Sequence, residues 1–298
     1  MMKTHILMQR TLEPLEKYLN TKGLVEVIIN KPGEIILETK NGFKYIQDNS
    51  LTLEYLEGFA QQLATTVNQK FGEYHPILSC TLPIYNYRTQ IMGKSVVDTN
   101  FAMAIRCASA NIYPLETWFD EKEISILKNA ILTKKNILIA GGTSSGKTTF
   151  LNSILSLVPH EERILTIEDA KELELPQPNV TRLLKSKMGT DIAKTTYAHL
   201  INSAVRLRPD RIILGELDID NTLPFLRVLN TGHGGSMATL HADSVDKSIE
   251  ALIMNISLAG AGGNERAIEK YILNALDIIV HLKRIDRATY KATLKELN

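Results

Sequence analysis

The chain reads Gly141-Gly142-Thr143-Ser144-Ser145-Gly146-Lys147-Thr148-Thr149 near its middle, and this stretch decides the fold. Its spacing matches G-x-x-x-x-G-K-[ST], the pattern of a phosphate-binding loop. The apolar run at 136–140 predicts a buried parallel strand before it. The apolar spacing at 147–157 predicts a helix after it. The stretch therefore lies in the context that such a loop requires.

The residue types of this phosphate loop (141–149) have a chemical reason. The glycines at 141, 142 and 146 allow backbone N–H groups to point at an anionic oxygen cluster, at the positive end of a helix dipole. Lys147 supplies a positive charge to the outer phosphates, and the Thr148 hydroxyl is a ligand for a bridging Mg²⁺. We therefore expect the whole loop to bind a nucleotide with Mg²⁺. The alternative is a glycine-rich turn that only joins the strand to the helix.

Length and composition limit the possible classes of protein. The 298 residues are enough for about two average domains, with ordinary hydrophobic (44%) and charged (22%) content. The formal net charge of +1 gives no strong global field towards nucleic acid or an anionic membrane. Two cysteines, Cys80 and Cys107, are too few for a zinc ribbon or a disulfide framework, which is typical of a reducing compartment. We expect neither a secretory signal nor a membrane-spanning helix.

The first 107 residues predict an α+β domain. A helix is expected at 5–19, broken or bent near Pro14, and a second helical period covers 51–71. Between the two helices, runs separated by turn signals predict an antiparallel meander. The strand candidates of the domain are 24–29, 34–38, 42–46, 76–82, 87–92 and 101–105.

Residues 108–119 are interpreted as a linker, and residues 120–298 as a second, α/β domain. In this domain strands and helices alternate, which predicts a mostly parallel sheet flanked by helices, with ligands at the carboxyl ends of the strands. The further strand candidates are 163–168, 179–184, 211–216, 236–241 and 277–283. The helix candidates are 121–133, 192–205, 222–229, 245–256 and 266–276. The end of the chain is expected to be a short polar strand or a tail.

Two predicted strands end in carboxylates. Glu216 follows the hydrophobic run 211–215, and Glu168 with Asp169 follows the run at 163–167. Beside a phosphate loop, such groups are suited to holding Mg²⁺ and to activating water. The alternatives are a loop cap for Glu216 and a solvated turn for the acidic pair.

Two histidines flank another predicted strand, His233 in a glycine-rich turn and His241 at its end. Their spacing does not match H-E-x-x-H, so a metal site is not expected. A donor to the γ-phosphate, or a sensor of its loss, is the functional interpretation. Two ordinary structural histidines are the alternative.

Several arginines are candidates for phosphate contacts. Arg206, Arg208 and Arg211 precede the Glu216 carboxylate and are suited to bidentate pairing with phosphate or with acids of a neighbouring subunit. Arg88 and Arg106, from spacing alone, are interpreted as surface ion-pair residues.

Taken together, these motifs resemble a family. The phosphate loop, the acidic stretch 167–173, the segment 206–216 and the histidine segment 231–241 occur in an order similar to the hexameric traffic ATPases of type IV secretion and conjugation. Type II secretion and type IV pilus ATPases are relatives of that family. The resemblance covers about residues 77–280.

The resemblance implies a two-domain subunit in which ATP and Mg²⁺ lie between the N-terminal domain and a RecA-like C-terminal domain, with six subunits in a ring. It makes Glu168 the acidic-box glutamate and Glu216 the Walker B glutamate, both near the metal with Thr148. It makes His233 and His241 the histidine box. Arg88 and Arg106 correspond to arginines that reach the phosphates. Which glutamate is the general base stays open, and we favour Glu216.

Two departures from the family pattern bear on function. After Gly-Glu the family usually has Leu or Val and then an arginine, whereas this chain has Leu217 and then Asp218. The contact made by that arginine is therefore absent or replaced. The four-cysteine zinc module of many type II relatives is missing, which favours the type IV secretion branch.

The resulting hypothesis is a Mg-dependent ATP hydrolase, cytoplasmic and peripheral at the inner membrane. It would use domain motion to power export, conjugation or pilus assembly with inner-membrane secretion apparatus proteins. One alternative is a pilus-type motor. Another is a nucleic-acid motor of the same core fold, which near-neutral charge and 6% aromatic content do not favour. A third is an assembly scaffold that binds ATP with negligible turnover.

Overall fold

The structure of the chain is a computed structural model that describes residues 2–107, 112–186, 189–261, 263–285 and 290–297. Its contacts divide the chain into two compact units. Unit 1 comprises Met1–Ser109, Asp169–Glu172 and Leu184–Lys194. Unit 2 comprises Ala110–Glu168, Leu173–Leu183 and Thr195–Asn298.

The domain limits 1–107, 108–119 and 120–298 stay predictions. Residues 108–111 of the predicted linker lie outside the described residues, and the remainder of it contains a short 3-10 helix, Leu115–Thr117. Two segments from the second half of the chain, 169–172 and 184–194, are grouped with unit 1. Sequence periodicity gave no sign of this grouping, because the described residues of both segments, apart from Leu184 at the end of the strand Val180–Leu184, lie in neither a helix nor a strand.

Unit 1 contains a six-stranded sheet with the order β3-β2-β1-β6-β5-β4, in which all neighbours are antiparallel. The predicted meander is confirmed as β1-β2-β3. The elements of the unit are α1 (Met2–Leu19), β1 (Leu24–Ile29), β2 (Glu34–Thr39), β3 (Gly42–Gln47), α2 (Leu53–Thr66), β4 (Ile77–Leu82), β5 (Tyr87–Gly93) and β6 (Phe101–Arg106). One hydrophobic core joins both helices to the sheet.

Helix α1 continues through Pro14, so the break that the sequence allows there does not occur, and a bend stays a prediction. A proline inside a helix costs about 3 kcal/mol because a backbone hydrogen bond is lost. Leu12, Leu15 and Leu19 lie on both sides of the proline and are at most 3% exposed. Each buried leucine contributes about 1.5–3 kcal/mol. Packing on the core therefore offsets the cost of the proline.

The two cysteines lie in unit 1 and are free thiols. Cys80 is in β4, and Cys107 directly follows β6. Burial raises the pKa of the Cys80 thiol to about 12, and it raises that of Cys107 to about 12 as well. Both thiols are therefore protonated at neutral pH and are poor nucleophiles.

Unit 2 contains a seven-stranded sheet with the order β13-β12-β7-β11-β10-β8-β9. The pairs β12–β7, β7–β11, β11–β10 and β10–β8 are parallel, and β13 is antiparallel to β12. Its strands are β7 (Ile137–Gly141), β8 (Ile164–Glu168), β9 (Val180–Leu184), β10 (Arg211–Leu214), β11 (Met237–His241), β12 (Ile278–Arg284) and β13 (Tyr290–Glu296). Its helices are α3 (Glu121–Leu132), α4 (Lys147–Leu155), α5 (Tyr197–Arg206), α6 (Thr222–Leu229), α7 (Val245–Leu258) and α8 (Glu265–Ala275).

Helices cover both faces of this sheet. In β7, Ile137 and Ile139 pack in a core cluster with α3 and α4. Leu138 and Ala140 pack in a second cluster, with α5, α6, α7 and α8. Strands buried on both faces are typical of parallel sheets with helical layers. The predicted fold class is confirmed: an antiparallel α+β domain precedes a domain with a mostly parallel sheet flanked by helices.

Helix α5 begins at Tyr197, not at 192 as the apolar spacing predicts. Thr196 caps it, because its hydroxyl accepts a hydrogen bond from the His199 backbone N–H at 3.1 Å. Ile192, which fits the helical spacing, belongs to unit 1 and donates its backbone N–H to the Asn68 carbonyl at 3.0 Å. A long-range contact therefore overrides the local pattern at this point.

Among the described residues, no helix has both the length and the apolar character needed to cross a membrane.

Candidate active site

The phosphate loop connects the buried strand β7 to the N-terminus of α4. Gly146 has φ +90° and precedes the first helical residue, while Ser144 has φ +58°. A Cβ at position 141 would lie 2.5 Å from the Leu282 carbonyl oxygen, so only glycine fits there. The loop thus has the backbone shape that brings N–H groups and a helix dipole to one place.

The loop passes a simple test of fit for nucleotide phosphates. It combines a helix N-terminus, an ammonium group and a serine hydroxyl. The Ser145 hydroxyl is shielded from solvent and has no hydrogen-bond partner in the part of the chain that the structure describes. An anion with several oxygen atoms suits this set of donors.

Lys147 lies within the loop and is only 9% exposed. Its Nζ donates to the carbonyl oxygens of Gly141 and Gly142 at 2.9 and 3.0 Å. The same nitrogen lies 3.3 Å from Nδ1 of His241. The ammonium is therefore held at the mouth of the loop by three groups.

Glu216 and His241 are brought together at the carboxyl edge of the sheet. His241 ends β11 and is in register with Gly141 at the end of β7. Its Nε2 lies 3.0 Å from Oε1 of Glu216, which follows β10. An ammonium can only donate, so Nδ1 accepts from Lys147, and Nε2–H of a neutral imidazole donates to the carboxylate. Lys147, His241 and Glu216 form one hydrogen-bonded row.

Glu168, at the end of β8, is 2% exposed, and its carboxylate has partners in its own unit. Oε1 accepts from the Thr166 hydroxyl at 2.7 Å and from Arg182 at 3.3 Å. Oε2 accepts from the Leu173 backbone N–H at 2.9 Å. The carboxylate thereby joins the two points where the chain leaves unit 2 and returns to it.

Mg²⁺ prefers oxygen ligands and is commonly held by one or two carboxylates together with substrate phosphates. Within the described residues, no three histidine, cysteine, aspartate or glutamate side chains are grouped closely enough to hold a metal ion. Thr148, in the first turn of α4, and Glu216, whose side chain is 24% exposed, provide hydroxyl and carboxylate oxygens. These residues fit a Mg²⁺ that is shared with a bound nucleotide.

His233 does not lie with the other predicted site residues. It precedes β11, whereas His241 ends that strand, so the two histidines lie at opposite edges of the sheet. Four strand steps from Met237 to His241 amount to roughly 13 Å. The His233 Nδ1 is shielded and has no partner among the residues that the structure describes.

Two glycines after His233 are fixed by close packing. A Cβ at Gly234 would lie 2.7 Å from the Lys134 carbonyl oxygen. A Cβ at Gly235, where φ is +79°, would lie 2.7 Å from Nη1 of Arg211. The glycine-rich turn therefore serves the packing at the amino edge of the sheet.

Arg211 is not a phosphate ligand, contrary to the prediction from its cluster. Its side chain is 1% exposed and forms a bidentate pair with Glu162, through Nε and through Nη2 at 3.1 Å. It also donates to the carbonyl oxygens of Ile131 and Gly235. Arg206 and Arg208 are exposed. Because Arg211 begins a completely buried strand, its charge requires these internal partners.

Arg88 and Arg106 lie in unit 1, directly opposite each other on β5 and β6. Arg88 pairs with Asp169 at 2.8 Å and with Glu172 at 3.4 Å, both in the segment that follows Glu168. Arg106 is exposed and is in register with Glu26 of β1. Burial raises the pKa of Glu26, and the nearby positive charge of Arg106 opposes that shift. Like charges that face each other destabilise a sheet, so the acids around this pair compensate it.

Asp218, which replaces the usual arginine, shapes the turn into α6. Its backbone N–H donates to Asn221 Oδ1 at 2.9 Å, and its own carboxylate accepts from the Asp220 N–H at 3.1 Å. Asn221 also donates to the Glu216 carbonyl at 3.0 Å, and Thr239 donates to the Gly215 carbonyl at 2.6 Å. Asn221 and Thr239 thus hold the backbone around Glu216. The D-x-x-N spacing of residues 218–221 is a sequence signal for Asn221, whereas no sequence signal indicated Thr239.

Comparisons with known proteins identify the family of the chain. The family model described as "Type II/IV secretion system protein" matches residues 93–291. The chain is 34% identical to the type IV secretion system protein VirB11 of Bartonella quintana, over 92% of this chain and 88% of that protein. It is 30% identical to VirB11 of Brucella abortus biovar 1, over 91% of this chain and 84% of that protein.

Two solved structures are similar along nearly the whole chain. One is the VirB11 ATPase of the Brucella suis type IV secretion system in complex with sulphate, with a TM-score of 0.52 at 27% identity. It covers 99% of this chain and 95% of that one. The other is the Legionella pneumophila ATPase DotB, with a TM-score of 0.70 at 20% identity, covering 97% of this chain and 79% of that one. The second likeness shows the fold alone.

Proposed function

We propose that this chain, which belongs to the family of type II/IV secretion system proteins, is a Mg-dependent ATPase of a type IV secretion system. It would power substrate export or assembly of the apparatus by nucleotide-driven domain motion. The observation that carries the proposal is the row of Lys147, His241 and Glu216 beside a glycine-shaped phosphate loop. This row combines a charge for the outer phosphates with a carboxylate for the attacking water.

The residues of the row have separate tasks in hydrolysis. Lys147 binds the outer phosphates and neutralises charge that develops on them. Glu216 accepts a proton from the attacking water while the bond between the γ-phosphorus and the bridging oxygen breaks, which leaves ADP and phosphate. The Nε2–H of His241 donates to Glu216 and fixes the direction of its carboxylate. Mg²⁺, held by Thr148 and phosphate oxygens, would supply further positive charge.

The other predicted site residues receive more indirect tasks. With Thr166, Arg182 and the Leu173 N–H on its oxygens, Glu168 is proposed to position the end of β8. A direct contact with the metal stays a prediction for Glu168. The same holds for a catalytic task of His233.

Arg88 and Arg106 are proposed to bind phosphate oxygens, as the resemblance implies. Arg88 already pairs with two carboxylates, Asp169 and Glu172. Phosphate would have to compete with these acids for the guanidinium. The 169–172 segment would then respond to the presence of the γ-phosphate, which offers a route from hydrolysis to motion.

Replacing Glu216 with glutamine tests the assignment of the general base. The amide keeps the size of the side chain but cannot accept the proton, so we expect ATP turnover to fall about a hundredfold. Phosphate release is measured at saturating ATP with Mg²⁺, and ATP affinity separately by equilibrium binding. The matched control is Asp220→Asn, which changes an exposed acid four residues further on. Unchanged turnover in Glu216→Gln would assign the base to another group.

We further propose that the active form is a homohexamer at secretion apparatus proteins of the inner membrane. Its mass in solution should approach six times the 33.3 kDa of the chain when ATP and Mg²⁺ are present. Mass measurement by light scattering, with and without nucleotide, checks this. A monomer under every condition would contradict the ring. A hexamer with negligible turnover would favour the assembly scaffold.

A further inference from the structure

An aromatic ring lies against the phosphate loop on the side away from Glu216. Tyr290 begins β13, which pairs with β12, and β12 pairs with β7 as that strand enters the loop. A Cβ at Gly146 would lie 3.5 Å from Cε1 and 3.8 Å from Cδ1 of Tyr290. The ring is therefore in van der Waals range of the residue that caps α4.

Tyr290, Ala292 and Leu294 lie on the same face of β13, and all three are partly exposed. Ala292 and Leu294 pack against the core cluster of α3 and α4, and Tyr290 is not part of that cluster. In the described part of the chain, its hydroxyl forms no hydrogen bond and its ring no aromatic pair. Core packing alone therefore does not account for a tyrosine at this position.

The strand order indicates how a bound nucleotide would be oriented across the sheet. His241 ends β11 and Glu216 follows β10, so the groups for the terminal phosphate lie on one side of β7. Strands β12 and β13 lie on the other side of β7. A triphosphate with its γ end at His241 directs its nucleoside away from that group, because the two are opposite ends of one molecule. Tyr290 lies on this nucleoside side.

We propose that the Tyr290 ring is the stacking platform for the nucleobase of the bound nucleotide. The inference rests on the proposed ATPase function and adds a residue that binds the base. Every nucleobase has a π face, and an aromatic side chain binds that face with little dependence on the base. The platform therefore increases the affinity for any nucleoside triphosphate over that for inorganic polyphosphate.

The test compares a ligand that has a base with one that lacks it. In Tyr290→Ala the dissociation constant of ATP should rise about 5- to 150-fold, the range of one lost base–aromatic stack. The dissociation constant of inorganic tripolyphosphate should not change, since tripolyphosphate has no base and occupies only the phosphate loop. Tyr290→Phe keeps the ring and should bind ATP like the wild type. Tyr74→Ala, which removes a tyrosine that is 91% exposed in unit 1, is the control.

A spectroscopic variant reports the stack directly. Tyr290→Trp adds a second tryptophan to the single Trp118, and its emission should be quenched by ATP but not by tripolyphosphate. Equal loss of ATP and tripolyphosphate binding in Tyr290→Ala would show that the ring only supports the loop, and would overturn the proposal. Unchanged ATP affinity in that variant would also overturn it. Failure of the wild type to bind ATP would instead refute the proposed function.

Discussion

Replacing Lys147 with alanine is expected to reduce ATP turnover about a thousandfold, the upper range for removing one group that stabilises a transition state. Lys147 is 9% exposed, so its charge acts with little screening by water. Its Nζ also connects the loop carbonyls to His241, so the variant loses the hydrogen bond that fixes the imidazole tautomer. The variant therefore loses both the positive charge beside the phosphates and the alignment of Glu216.

The measurement is phosphate release by purified, assembled protein with Mg²⁺. Lys128→Ala, which removes an exposed lysine of α3, is the matched control and should retain wild-type turnover. A thermal unfolding scan of both variants excludes loss of fold as the cause. Substantial hydrolysis by Lys147→Ala would show that the phosphate loop is not the catalytic site.

Replacing Arg211 with alanine is expected to lower the free energy of unfolding of unit 2 by about 3–5 kcal/mol. The substitution leaves the Glu162 carboxylate buried without its bidentate partner. It also removes donors to the carbonyl oxygens of Ile131 and Gly235. The remaining ion pair, with the 41% exposed Lys134 at 3.8 Å, is longer and more solvated, so it compensates the Glu162 charge only in part and the single substitution stays severe.

Urea unfolding followed by the emission of Trp118 checks this, because the single tryptophan of the chain belongs to unit 2. Arg206→Ala removes an exposed neighbouring arginine and should change the stability by less than about 0.5 kcal/mol. The double variant Arg211→Met with Glu162→Leu removes both charges and should recover the part of the loss that comes from the unpaired carboxylate, but not the part from the two carbonyl oxygens. A double variant as unstable as the single one would contradict the explanation by unpaired charge.

Local signals in the sequence were sufficient for the fold class and the family. The phosphate loop, its strand and its helix follow from residues that are neighbours in the chain. The same holds for Glu168 at the end of β8 and for Glu216, which lies two residues beyond the end of β10. The family model at 93–291 and the VirB11 relatives confirm the resemblance to type IV secretion ATPases. The fold confirms an antiparallel domain followed by a mostly parallel one.

Long-range contacts decided what the sequence did not predict. Ile192 fits a helical pattern, yet the Asn68 carbonyl holds its backbone in unit 1. Arg211 resembles a phosphate ligand by its spacing, yet Glu162, 49 residues away in the chain, pairs with it in the core. Tyr290 had no local signal, because its position beside Gly146 depends on the pairing of β13 with β12. Each of these partners is distant in the sequence, so local sequence periodicity cannot predict the contact.

The close contacts of Gly234 and Gly235 matter for anyone who compares related sequences. A methyl group at either position would collide with the Lys134 carbonyl or the Arg211 guanidinium. Substitutions at these two positions would disturb the fold by steric clash, whatever their effect on hydrolysis. Invariance of these glycines in an alignment would therefore report a constraint on shape, and it should not be counted as support for a chemical task of the adjacent His233.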